Sequence, residues 1–250
     1  MSILSTITRP TNRPIVATIL GDAGLGKTSL AATFPKPIFI RAEDGMQAIP
    51  EDKRPDAFPV VQSVDDLWGQ LAALIKEDHD YKTVVIDSIT QLESMFAQYV
   101  IETDPKKPKS LAQAMGGYGE GYGAVTNLHN RVRKAAEILN RDRGMHVVFI
   151  GHADTETIEL PDSDPYTRYN LRLHKKSMAP YVDNVDIVGF IKLQMFTMGD
   201  GERKKAHSDG TRLLVTYPVA SNVSKNRYGI TQDLVVENGI NPLHGAIEGL

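Results

Sequence analysis

The sequence predicts an α/β fold with a mainly parallel central sheet flanked by helices and a C-terminal antiparallel hairpin. Three observations predict it. Residues 15–20, 83–86 and 146–150 are short, nearly continuous apolar runs, the pattern of strands buried on both faces. Between them lie segments with helical spacing, such as Leu67, Leu71, Leu74 and Ile75, so strands alternate with helices as in βαβ units. Near the end, residues 185–193 and 211–217 read as strands joined by a charged turn, which makes a hairpin.

Taken in order, the strand at 15–20 leads into a glycine-rich loop and a helix from Lys27 to Phe34, halted by Pro35. Residues 37–40 form a second strand. Ser63-Val-Asp-Asp66 has the form of a capping box at the start of the next helix. The strand at 83–86 ends in Asp87, and Leu92, Met95, Phe96, Tyr99 and Val100 give the following helix its buried stripe. Residues 103–123 break the pattern with prolines and glycines and read as a long mobile loop. A helix marked by Val125, Leu128, Val132, Ala135 and Leu139 precedes the strand at 146–150. Residues 153–177 read as a second irregular stretch, Arg203-Lys204-Lys205 as a solvated tip, and the tail from Thr231 as weakly structured. A single domain over residues 1–250 is expected, with its core at about 14–235, a short N-terminal arm and a C-terminal tail.

Composition narrows the chemistry. Apolar residues at 41% and charged residues at 24% are ordinary for a globular chain of 250 residues, so disorder and coiled coil are set aside. The absence of cysteine excludes disulfides, thiolate zinc sites and cysteine nucleophiles. A net charge of −3 gives no global attraction to nucleic acid, so such binding needs local basic patches. No stretch approaches the ~18 apolar residues of a membrane helix, and a soluble, intracellular chain is expected.

The loop Gly21-Asp22-Ala23-Gly24-Leu25-Gly26-Lys27-Thr28, followed by Ser29, fits G-x-x-x-x-G-K-[ST] at every fixed position and lies between a strand and a helix. Its amides would cradle the phosphates of ATP. Lys27 would reach the β- and γ-phosphates, and the Thr28 hydroxyl would ligate Mg²⁺. Asp87, at the carboxyl end of an apolar strand, is the second candidate for that cation. A water-activating carboxylate is expected just past the second strand, where Glu43 and its neighbour Asp44 both stand. His152, at the end of another strand, is placed to touch the γ-phosphate.

With these residues in view, the chain resembles the RecA-like P-loop ATPases, and its size is similar to phage core-only members that promote recombination or single-strand annealing. The phosphate loop, Ile40-Arg-Ala-Glu43, Val84-Val-Ile-Asp87 and Val148-Phe-Ile-Gly-His152 carry the likeness. In that family the second segment holds the water-activating glutamate, and the fourth ends in a γ-phosphate sensor, usually Gln, where this chain has His152. Lys225-Asn-Arg-Tyr-Gly229 looks like the Lys-Asn-Arg-Phe-Gly segment of RadA-type proteins. The likeness implies that Lys225 and Arg227 reach a neighbouring subunit's ATP, and so a homo-oligomeric ring or filament. It further implies single-stranded DNA held by loops after the Asp87 and His152 strands. Those loops offer Lys106, Lys107, Lys109, Tyr118 and Tyr122, then Arg168, Arg172, Lys175 and Lys176. The same reading adds a single-strand-binding protein as a candidate partner and implies action in a phage host's cytoplasm. Two other readings stay open: a nucleotide-gated assembly or loader protein that does not bind DNA, and a P-loop kinase of a small molecule.

Overall fold

In the computed structural model, which describes residues 3–9, 11–198, 205–248 and 250, the apolar runs become the centre of a ten-stranded sheet. The chain runs β1 (Val16–Gly21), α1 (Lys27–Ala31), β2 (Pro37–Arg41), β3 (Asp56–Ala57), α2 (Val64–Lys76), β4 (Thr83–Asp87), α3 (Ile89–Thr103) and α4 (Glu120–Asp142). It continues through β5 (His146–Ile158), β6 (Tyr166–Leu171), α5 (Ala179–Val182), β7 (Ile187–Leu193), β8 (Phe196–Met198), β9 (Lys205–His207), β10 (Arg212–Val215), β11 (Lys225–Asn226) and β12 (Leu234–Val235). Every residue of β1 and β4 is buried, as helices covering both faces of a parallel sheet require.

The spatial order is β12-β10-β7-β1-β5-β4-β2-β3. From β7 to β3 the pairings are parallel; β10 closes antiparallel on β7, which is the hairpin expected near the C-terminus. Alternation along each strand sorts the side chains between two cores. Leu20, Ile40, Val84, Ile86, Val147 and Phe149 face α2, α3 and α4, whereas Ile19, Phe39, Val85, Val148 and Ile150 face α1 and the C-terminal segment. Each such buried side chain stabilises the fold by roughly 1.5–3 kcal/mol. The capping box at α2 forms in full: Asp66 N donates to Ser63 Oγ at 3.1 Å, and Ser63 N donates to Asp66 Oδ2 at 3.0 Å.

Four expectations are corrected. Helix α1 stops at Ala31; Thr33 and Phe34 continue as turns bonded to Leu30 and Ala31. The stretch 153–177 is largely ordered, because β5 runs on to Ile158 and pairs antiparallel with β6 through six residue pairs. This hairpin stands away from the main sheet with both faces partly in water, so it lacks the apolar signature of a strand and shows only β-branched Thr155, Thr157, Ile158 and Thr167. The stretch 103–123 ends earlier than expected. Helix α4 begins at Glu120 and takes in Gly121, where a Cβ would overlap the Leu111 carbonyl oxygen. The tail is packed: Leu243 and Ile247 are buried in the core beside α1. Arg203 and Lys204 lie outside the described residues; β8 and β9 pair antiparallel on either side of them.

His129 on α4 is wholly buried against Phe96, at 4.9 Å between ring centroids, and against Tyr181, whose hydroxyl lies 2.7 Å from its Nδ1. Burial pushes its pKa down to about 3. Since the folded value is depressed, the stabilising contribution is complete above the unfolded value near 6.5 and is lost as pH falls toward the folded one. The melting temperature should therefore drop progressively below pH ~6.5. A His129→Gln series measured across the same pH range should show a shallower slope; an equal slope would remove His129 as the cause.

Candidate nucleotide site

The register of the parallel strands decides where the loops emerge. Gly21 lies opposite His152 on β5 and Ile191 on β7, while Asp87 lies opposite Ile150 on β5 and Arg41 on β2. The phosphate loop, His152, Asp87 and the segment carrying Glu43 thus leave the sheet along one edge. A cleft of about 470 Å³ opens there, lined by Gly24, Lys27, Thr28, Glu43, Asp87 and His152 among others.

At Gly21 a Cβ would stand 2.6 Å from the Ile191 carbonyl oxygen, so the approach of β7 demands glycine. Gly24 and Gly26 hold φ of +78° and +84°, the left-handed region that lets the loop curl. Ala23 and Ser29 also line the cleft, whereas Asp22 and Leu25 line a neighbouring hollow beside β7. The Lys27 ammonium folds back over the loop and donates to the carbonyls of Gly21 at 2.9 Å and Asp22 at 2.8 Å. Burial holds its pKa below the ordinary value, against the opposing pull of Asp87, Glu43 and Asp22. The Thr28 hydroxyl donates to Asp87 Oδ2 at 2.8 Å.

Asp87 is buried, and that burial pushes its pKa up to about 6; its bond from Thr28 opposes the rise and the Glu43 charge adds to it. Glu43 Oε1 lies 3.2 Å from His152 Nε2, a bond that keeps the Glu43 carboxyl below the usual range despite partial burial. The amides of Ala42 and Glu43 donate to the Asp87 carbonyl at 2.7 and 3.3 Å, which fixes this segment to the end of β4. Of the two adjacent carboxylates, Glu43 contacts His152, whereas Asp44 accepts from Arg41 at 3.1 Å.

The donors suit a hard divalent cation. A hydroxyl and a carboxylate converge, and a Cβ on Gly45 would stand 3.1 Å from Thr28 Oγ1 and 3.6 Å from Asp87 Oδ2, filling the space beside both oxygens. Among the described residues no group of three His, Cys, Asp or Glu could hold a metal alone. Two protein oxygens with phosphate oxygens and water are the pattern of Mg²⁺ in nucleotide sites.

Other expected residues lie elsewhere. Lys225 pairs with Val188 and Asn226 with Ile187, three and four residues before the Ile191 that faces Gly21. This sets them roughly 10–13 Å down the strand, near the opposite edge of the sheet. There Lys225 Nζ donates to the Asp183 carbonyl at 2.7 Å, and Arg227 approaches Asp186 at 3.5 Å while remaining half-exposed. Lys106, Lys107 and Lys109 are exposed, and Tyr118 is fully so, between Gly117 and Gly119. Tyr122 instead sits in α4 and stacks on His174 at 4.5 Å, bringing the first loop beside exposed Lys175 and Lys176. Arg172 is exposed, but Arg168 is paired with Glu156 at 2.8 Å.

Four residues of the cleft escape sequence reading: Gly45, Ala48, Arg212 and Asn238. Gly45 follows Glu43 without any motif to mark it. Arg212 and Asn238 reach the phosphate loop only through the pairings of β7, β10 and β12, which no local pattern encodes.

Two substitutions test the site. Lys27→Ala should lose nucleotide binding, and wild-type affinity in that variant would remove the loop from the mechanism. Gly45→Val should fold normally by circular dichroism yet lose Mg²⁺-dependent binding, because its side chain occupies the space beside Thr28 and Asp87; unchanged Mg²⁺ dependence would count against a cation there.

Residues 13–228 match the AAA domain family. The chain is also similar to an SPbeta prophage-derived uncharacterized protein, YorG, of Bacillus subtilis (strain 168), at 26% identity over 182 residues. That alignment covers 70% of this chain and 50% of the relative, so the chain spans about half the length of the curated relative it matches. Among the described residues no helix is long and apolar enough to cross a membrane. With the strand–loop–helix, the buried Asp87 and the mainly parallel sheet in place, the family match settles the class: the chain belongs to the AAA domain family of P-loop ATPases.

Proposed function

We propose that the protein is a Mg²⁺-dependent, RecA-like ATPase that works as a homo-oligomer on single-stranded DNA, in phage recombination, strand annealing or repair. The observation that carries the reading is the Glu43–His152 pair, set across the cleft from Lys27, Thr28 and Asp87. A kinase needs a site for its acceptor; a hydrolase needs a carboxylate placed for water. Glu43, kept ionised at neutral pH, accepts a proton from that water as its oxygen bonds to the γ-phosphorus. The β–γ bridging bond breaks, its electrons leave on ADP, and free phosphate is the second product. Lys27 leaves its two carbonyl partners for the β- and γ-phosphate oxygens. A cation on Thr28 and Asp87, when bound, neutralises charge on those oxygens. His152, bonded to Glu43, is placed to respond when the γ-phosphate is lost.

Lys225 and Arg227 are displaced along the sheet from their own cleft, which favours a role in a neighbour's site. Head-to-tail association is the arrangement that joins one edge of a subunit to the opposite edge of the next. DNA binding is supported by exposed Lys106, Lys107 and Lys109 and exposed Tyr118 in the same loop stretch, cations and an unstacked ring of the kind suited to single strands. The prophage origin of the similar protein agrees with a phage role.

Steady-state phosphate release from Mg–ATP, with and without unstructured single-stranded DNA, tests the reading. Stimulation by DNA that is lost on Tyr118→Ala is expected. Hydrolysis indifferent to DNA would move the assignment to a nucleotide-gated assembly protein. Arg227→Ala should bind ATP yet turn over at least roughly 100-fold more slowly. Equal mixing with Glu43→Ala restores complete sites at about a quarter of head-to-tail interfaces, so activity should return; no return at any ratio would exclude a shared site.

A further inference from the structure

We propose that Arg212 is a second phosphate-binding cation, supplied in cis by the C-terminal hairpin, and that Asn238 positions it. The inference rests on the nucleotide reading above and adds a residue that neither the loop motif nor the family match designates. Arg212 opens β10, opposite Leu193 and two residues beyond the level at which Ile191 meets Gly21. From there its guanidinium crosses to the phosphate loop. Nη1 approaches the Leu25 carbonyl at 3.4 Å, and a Cβ on Gly26 would overlap Nη1, so the group lies against the bare Gly26 backbone. On the other side Nη2 donates to Asn238 Oδ1 at 2.6 Å. The Asn238 segment is itself anchored to β10, where Val236 N donates to the Arg212 carbonyl at 2.9 Å.

Three acids line this cleft, Glu43, Asp44 and Asp87, yet among the described residues none is ion-paired with Arg212. A guanidinium carries five N–H donors, and the two contacts here occupy two of them. Arg212 lines the cleft that also holds Lys27 and the curled loop. A planar fork of donors beside a phosphate-binding loop suits phosphate oxygens, which it can grip two at a time. Arg212 lies on the Gly26 and Asn238 flank, and its hydrogen bonds go to Leu25 and Asn238 rather than to Glu43, His152 or Asp87. Its ligand is therefore the α- and β-phosphates, shared by ATP and ADP, and its part is binding, with Glu43 left to the chemistry. Gly26 then serves twice, in giving the loop its turn and in leaving room for the guanidinium.

Affinities for ATP and for ADP, measured by calorimetry with Mg²⁺ present, test this in wild type and in Arg212→Ala, Arg212→Lys and Asn238→Ala. Arg212→Ala should weaken both nucleotides by about 10- to 100-fold, the worth of a charge-assisted bond. Lys should restore part of the loss, since it returns the charge without the fork. Asn238→Ala should weaken both by less, and should add nothing in the Arg212→Ala background. The unliganded melting temperature of Arg212→Ala should stay close to wild type. Wild-type affinity for both nucleotides in Arg212→Ala, alongside lost binding in Lys27→Ala, would overturn the proposal and leave the phosphate loop standing. A lowered unliganded melting temperature with no rescue by Lys would also overturn it, by making Arg212 a structural prop. If wild type bound neither nucleotide, the broader reading would fall with it.

Discussion

Everything at this site depends on the register of four parallel strands. β5 lies between β1 and β4, so the chain that leaves it at His152 emerges between the phosphate loop and Asp87. A shift of one residue in any of these pairings would turn the buried side chains to the wrong face and move a loop by about 3.3 Å. The apolar content of the strands is therefore a positioning device as much as a source of stability. Ile19, Val85 and Val148 cannot leave their core without dragging Gly21, Asp87 and His152 with them.

The same edge concentrates charge in a place short of water. Asp87 is buried and its pKa is raised; Lys27 is buried and its pKa is lowered. Neither ion is left alone: Asp87 accepts from Thr28, Lys27 donates to two carbonyls, and Glu43 is bonded to His152. Buried charge costs several kcal/mol per ion unless it is paired, and these contacts hold the cost down. They are also contacts that phosphate, cation and water can replace one for one.

Legibility followed the source of each constraint. The phosphate loop, Asp87 and the Glu43 segment could be read because each follows a buried strand whose apolar run is visible, and because glycine spacing is dictated by backbone curvature. The β5–β6 hairpin could not, since Thr155, Glu156 and Thr157 pair through the backbone while their side chains meet water on both faces. Tyr122 looked like a free ring among glycines, yet Gly121 is small because it touches Leu111, and the helix thereby starts early enough to stack Tyr122 on His174. Arg212 was invisible for a further reason. Its neighbour in space, Leu25, is 187 residues away in sequence, and only the hairpin register brings the two together.

That hairpin also joins the two edges of the sheet. β7 meets Gly21 at Ile191 and meets Lys225 at Val188, so one strand carries the wall of the nucleotide cleft at its carboxyl end and the pair for the Lys225–Arg227 segment at its start. At that lower end Asp186 binds Arg13 at 2.7 Å, receives Arg227 at 3.5 Å and accepts from Val16 N at 2.9 Å. Val16 begins β1, whose other end is the phosphate loop. Arg227 and the phosphate loop are thus linked through Asp186 and β1, a strand paired on both sides.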